Sequence, residues 1–135
     1  MTGETKTRGA HHIGLTVPDL AETKAFFLDV LGFSQVGEVP AYPAVFLTDG
    51  ITMITLWQAE NSEKAVPFDR KNVIGLHHLA LNVASMQELK ELYSVLKNQL
   101  NVGIEFAPEP LGESGANHMM CNIPGGIRVE FLAAA

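Results

Sequence analysis

His11-His12-Ile13-Gly14-Leu15-Thr16-Val17 and His77-His78-Leu79-Ala80-Leu81-Asn82-Val83 are one pattern occurring twice, 66 residues apart. The register continues beyond them without a gap. Leu20 falls on Met86, Glu22 on Glu88, Lys24 on Lys90, Phe26 on Leu92 and Phe27 on Tyr93. Four of the five histidines lie in the two matching pairs. Two His-His dipeptides arise easily by chance, but not each at the head of the same alternation and followed by the same helical pattern, so the chain reads as a duplicated unit.

Each half predicts the same element order. From His12 to Val17, Ile13, Leu15 and Val17 alternate with His12, Gly14 and Thr16, the two-residue period of a half-buried strand. Pro18-Asp19 ends it. Asp19 with Glu22 three residues on predicts a capped helix running to about Leu31, with Leu20, Phe27 and Leu31 on the buried stripe and Gly32 as the left-handed terminator. In the second half Ser85 and Glu88 form the corresponding capping box. Met86, Leu89, Tyr93, Leu96 and Leu100 then mark an apolar face about four turns long. Short apolar runs punctuated by Gly, Pro, Asn and Asp predict three strands after each helix: 34–39, 44–48 and 52–58, then 103–107, 117–123 and 127–132. The fold class is therefore α+β, two βαβββ modules. Residues 10–58 form the first and 74–135 the second, joined by a polar, charged linker over 59–73 and preceded by a loosely attached tail at 1–9. A module of this size rarely builds a sufficient core alone, so the two should complete each other.

Composition narrows the function. The 135 residues suffice for one domain with a core, and the single Cys121, read as a buried small hydrophobe, staples nothing. The chain opens MTGETKTRGA without an apolar run, so no secretory leader is expected and the cytoplasm is the default compartment. Every hydrophobic stretch is interrupted well short of a bilayer span. A net charge of −6 with scattered basic residues makes nucleic acid a poor partner and leaves small molecules and other proteins.

Chemistry points to the face opposite the Ile/Leu/Val stripe. His12 and His78 stand there in equivalent places, and two imidazoles related by module symmetry converge on one point. The terminal segment Gly125-Gly126-Ile127-Arg128-Val129-Glu130-Phe131-Leu132 puts a carboxylate, Glu130, into a strand-like apolar context, where it needs a partner. That partner is either a basic side chain in a structural ion pair or a metal shared with the two histidines. Two imidazoles and one carboxylate form a facial set that leaves coordination positions open for substrate or water. His118 shares its face with Met120 and Asn122, which makes it a candidate acid/base or an ordinary hydrogen-bonded histidine. Trp57, Phe46 and Met53 either wall an apolar pocket or belong to the core. Nothing resembles a nucleophile elbow, a P-loop or a dinucleotide fingerprint.

The paired His-Ile-Gly-Leu-Thr-Val and His-Leu-Ala-Leu-Asn-Val strands, the Phe26-Phe27-x-x-Val30-Leu31-Gly32-Phe33 helix end and the Pro124-to-Phe131 terminal segment together resemble the vicinal oxygen chelate superfamily. That superfamily includes glyoxalase I, extradiol dioxygenases, fosfomycin-resistance transferases and bleomycin-binding proteins. The likeness covers about Ala10 to Leu132. It implies sheets curled around a metal cleft, one divalent ion per site (Fe, Mn, Ni, Zn or Co) and His12, His78 and Glu130 as ligands. It also implies a homodimer in which His12 comes from one chain and His78 with Glu130 from the other. The fourth ligand position of glyoxalase I, a Glu there, falls near Thr55, a poor ligand, and a threonine expected in fosfomycin enzymes is Gly14. Three readings follow: a glyoxalase-like lyase or isomerase in which Glu130 also relays a proton, a non-haem iron ring-cleaving dioxygenase, and a metal-free drug- or metabolite-binding protein. Thr55, Trp57, Phe46, Met120 and Asn122 are the expected substrate-pocket residues in each.

Overall fold

The computed structural model describes residues 3–135. Strand β1 (His12–Val17) buries Leu15 and Val17, half-buries Ile13 and leaves His12, Gly14 and Thr16 exposed, as the alternation predicts. Asp19 caps α1 (Leu20–Ala25) by accepting the Glu22 N–H. The predicted helix does run on, but as a π-helical turn, Phe26–Val30, in which the Leu31 N–H reaches back to the Phe26 carbonyl. An α-helix turns successive residues about 100° apart, yet Phe26 and Phe27 are both buried here. The wider turn is accompanied by a change in the stripe: Thr23 and Phe27 are fully buried, whereas Leu20 and Leu31 are only half covered. Gly32 ends the segment at φ +77°.

The first module continues through β2 (Ser34–Val39), β3 (Ala44–Thr48) and β4 (Met53–Gln58). The second repeats the order: β5 (Leu79–Val83), α2 (Met86–Leu96), β6 (Gly103–Pro110), β7 (Asn117–Asn122) and β8 (Arg128–Ala133). Ser85 caps α2 through the Glu88 N–H. This helix stops four residues short of Leu100, which is 85% exposed. Past Leu96 the chain leaves the helix for a series of turns, and Asn101 takes up a left-handed φ of +64°.

Each module forms a four-stranded mixed sheet, in the orders β1-β4-β3-β2 and β5-β8-β7-β6. The first-last pairs are parallel and the rest antiparallel. The protein is thus α+β with two βαβββ modules. One apolar core spans both, drawing on Phe27, Leu47, Ile54 and Leu56 from the first and Leu89, Leu96, Met119 and Phe131 from the second. The start of α1 is docked on the turn before β8. Thr23 Oγ1 donates to the Pro124 carbonyl at 2.9 Å, and Asn101 Nδ2 donates to Glu22 Oε1 at 3.1 Å. Gly125, at φ +102°, lies so close to this contact that a Cβ would meet Thr23 Oγ1 at 2.9 Å. Between β4 and β5, a short 3-10 turn (Ser62–Lys64) is the regular element. No helix is long and apolar enough to cross a membrane, among the described residues.

Candidate metal centre

The core-facing side of β7 and β8 carries Met119, Cys121, Val129 and Phe131, all buried. Period two therefore sends His118, Met120 and Asn122 from β7, and Arg128 and Glu130 from β8, to the opposite face. Register places Glu130 beside Ala80 on one flank and Met120 on the other. His78 sits immediately before β5 and reaches the same carboxylate. Its Nε2 lies 3.2 Å from Glu130 Oε1, while His118 Nδ1 lies 2.6 Å from Oε2. Since an ionised carboxylate only accepts, His118 is the donor in that bond. Glu130 is 8% exposed, the His118 side chain 13% and that of His78 34%, so the site opens at His78. The Phe106 ring packs against that of His118, with 4.8 Å between ring centres.

This arrangement suits a divalent cation. Two donors at about 2.1 Å in neighbouring coordination positions are about 3 Å apart, close to the 3.2 Å between His78 Nε2 and Glu130 Oε1. The second carboxylate oxygen is held by His118. The third predicted ligand, His12, is elsewhere. It opens β1 in the other sheet, exposed, with its Nδ1 2.9 Å from that of His11. Among the described residues no three His, Cys, Asp or Glu side chains of one chain enclose a metal position.

The remaining predicted residues divide between the sheets. Thr55 pairs with Gly14 as Glu130 pairs with Ala80, so Thr55 occupies the place in the first module that Glu130 holds in the second. It is buried, and its Oγ1 accepts the Trp57 indole N–H at 2.8 Å. Phe46 lies opposite Thr55, 6.0 Å from Trp57 between ring centres, and lies over Gly37, where a Cβ would be 2.9 Å from its ring. Tyr42 meets Trp57 edge-on at 4.7 Å. Met120 is buried beside Glu130 and Asn122 is half-buried opposite Arg128. A cavity of about 780 Å³ lies between the end of β1, the segment from Ala59 to Leu76 and the turn before β8. It takes in Asn122 but not Thr55, Trp57, Phe46 or Met120. Cys121 is fully buried, and burial pushes its thiol up to about 12.

Sequence reasoning missed a second polar group on the same face. Arg128 grips Glu105 with two nitrogens, Nε at 3.0 Å and Nη2 at 2.5 Å, and Arg70 Nε stands 3.8 Å from the same carboxylate. Arg128 Nη1 is 3.2 Å from His77 Nδ1, which is 2.8 Å from His78 Nδ1. The bond to Arg128 holds the Glu105 carboxyl below its ordinary value, and Glu105 in turn raises Arg128. The signal was there for Arg128, two residues before Glu130 and hence on its face. Glu105 gave none, because register shifts in the β6 pairing remove the regular alternation.

Comparison with known proteins agrees with this architecture. The chain belongs to the Glyoxalase/Bleomycin resistance protein/Dioxygenase superfamily, whose family model matches residues 9–131. The mitochondrial methylmalonyl-CoA epimerase of Bos taurus is 30% identical over 110 residues, 73% of this chain and 62% of the epimerase. A catechol-2,3-dioxygenase of Bacillus subtilis (strain 168) is 34% identical over 82 residues, 58% of this chain and 27% of that protein. The chain thus spans about three-fifths of the epimerase's length and about a quarter of the dioxygenase's. A glyoxylase/bleomycin resistance protein/dioxygenase domain from Frankia sp. EAN1pec has the same fold, with a TM-score of 0.80 at 19% identity over 96% of this chain and 94% of that one.

Proposed function

We propose that this chain is a divalent-metal-dependent isomerase or lyase, acting in the cytoplasm on a small substrate that presents two adjacent oxygens. The observation that carries the reading is the buried Glu130 carboxylate, held at one oxygen by His118 and in contact at the other with His78 Nε2. His78 and Glu130 would hold the ion, with His12 of a second copy as the third ligand. A bound Fe, Mn, Ni, Zn or Co ion supplies Lewis acidity that stabilises negative charge on the substrate oxygens. Glu130 takes a proton from the carbon beside those oxygens and returns it. His118 keeps that carboxylate aimed through its Nδ1–H, and Met120 and Phe106 exclude water around the pair. The likeness to an epimerase, an isomerase by its name, supports proton removal and return.

A second reading, an iron-dependent ring-cleaving dioxygenase, is favoured by Thr55. With no carboxylate there, the donor set is two imidazoles and one carboxylate, the set used by non-haem iron oxygenases. The likeness to a catechol-2,3-dioxygenase points the same way. Elemental analysis of untagged protein purified without chelator, beside His78→Ala, tests both. About one transition metal per chain, absent from the variant, is the expected result. Oxygen uptake during turnover would move the assignment to the dioxygenase. No metal, and no uptake of added Mn, Fe, Ni or Zn, would overturn both and leave a metal-free binding protein.

A further inference from the structure

One carboxylate on the second sheet serves two guanidiniums. Glu105 is held by Arg128 through Nε at 3.0 Å and Nη2 at 2.5 Å, and Arg70 Nε approaches the same group at 3.8 Å. The two arginines are not equivalent. Arg128 is buried, its side chain 8% exposed, and it neutralises Glu105 while its Nη1 faces His77 Nδ1 at 3.2 Å. The Arg70 side chain is 42% exposed. A separation of 3.8 Å is longer than a hydrogen bond, so charge alone draws Arg70 to Glu105 and that contact uses none of its N–H donors. The neighbouring Asp69 carboxylate is turned to the Lys71 backbone N–H at 2.9 Å. Around Glu105 one positive charge is therefore in excess, in a chain whose net charge is −6.

Its position gives this charge a use. Arg128 stands two residues, about 7 Å, before Glu130 on the same face of β8, and Glu105 links it to Arg70 in the segment that joins the modules. The first module has no counterpart, since register puts Met53 where the second has Arg128 and Val36 where it has Glu105. We propose that Arg70, with Glu105 and Arg128 behind it, is a subsite for an anionic oxygen group, a carboxylate or a phosphate, on the end of the substrate remote from its two adjacent oxygens. A guanidinium meets either group with two parallel N–H donors. The substrate is then an acid, and a neutral molecule with the same adjacent oxygens is a poor one. The anion site itself needs no metal, whereas its part in anchoring the substrate rests on the metal-centre reading given above.

Nitrogen-15 spectra of the metal-free protein, titrated with malonate and separately with inorganic phosphate in a mildly alkaline chloride buffer, read the site directly. The Arg70 Nε–H signal should shift and saturate, and the amides of residues 69–72 should follow it and supply the affinity in every variant. The anion that binds more tightly identifies the acid group. Arg70→Gln should weaken binding about tenfold, as loss of a hydrogen bond to a charged group does. Glu105→Gln, which removes the competing negative charge, should tighten it about fivefold. Circular dichroism checks that both variants fold. No saturable shift with either anion, or an affinity unchanged by both substitutions, overturns the proposal. Absence of Co²⁺ uptake in calorimetry, with the Arg70 shift intact, would remove the metal-centre reading alone and leave the anion site standing.

Discussion

Glu130 and Thr55 occupy equivalent places in the two modules, and that one difference puts the proposed acid-base chemistry on the second sheet alone. Both were recognisable in the sequence, Glu130 as a charge in an apolar strand and Thr55 through the resemblance to the superfamily's ligand positions. The supporting ion pair was not, because Glu105 and Arg128 are 23 residues apart and meet only through β6–β7–β8 pairing. This pair makes a pH prediction. Arg128 lowers the Glu105 carboxyl from its ordinary 4.5, so the stabilisation is fully present above that value and is lost as pH falls through the folded-state value. The Glu105 side chain is 28% exposed, so solvent screening keeps the effect to about 1 kcal/mol or less. Glu105→Gln should flatten the acid limb of the stability curve by that amount and leave a constant offset at neutral pH. Urea unfolding across the acid range checks it, and an unaltered limb would show that the pair contributes nothing measurable.

Elements were the most legible level. Strand alternation and both N-caps were found as predicted, since a two-residue period and a cap three residues before a Glu are local signals. Helix ends were less so. The periodicity of Met86, Leu89, Tyr93 and Leu96 continues to Leu100 on paper, but the helix ends at Leu96 and Leu100 faces solvent. Leu96→Ala should therefore cost about 2–5 kcal/mol, as truncation of a fully buried leucine does, whereas Leu100→Ala should stay within about 0.5 kcal/mol. Chemical denaturation of both variants decides it, and equal costs would place Leu100 in a core contact. The π-helical turn at Phe26–Val30 was likewise beyond the pattern, which reads the segment as an ordinary continuation of the helix.

At the scale of the whole molecule, His12 stands in a different sheet from His78 and Glu130, and the proposed site needs a second copy. That predicts complementation. His12→Ala and His78→Ala should each lose bound metal, yet unfolding and refolding them together should restore about a quarter of wild-type content, because half the dimers are mixed and each holds one intact site. A site within one chain would restore nothing on mixing, so metal content after co-refolding separates the two arrangements. The sequence by itself determined the duplication, the α+β module and which residues share a face with the histidines, since all of these follow from local periodicity and an internal repeat. Only the tertiary structure decided how the modules dock through Thr23, Pro124 and Gly125, which partners Glu130 takes, and that Arg128 stands behind His77. Such contacts join residues distant in the chain through sheet register and core packing, which local pattern does not encode.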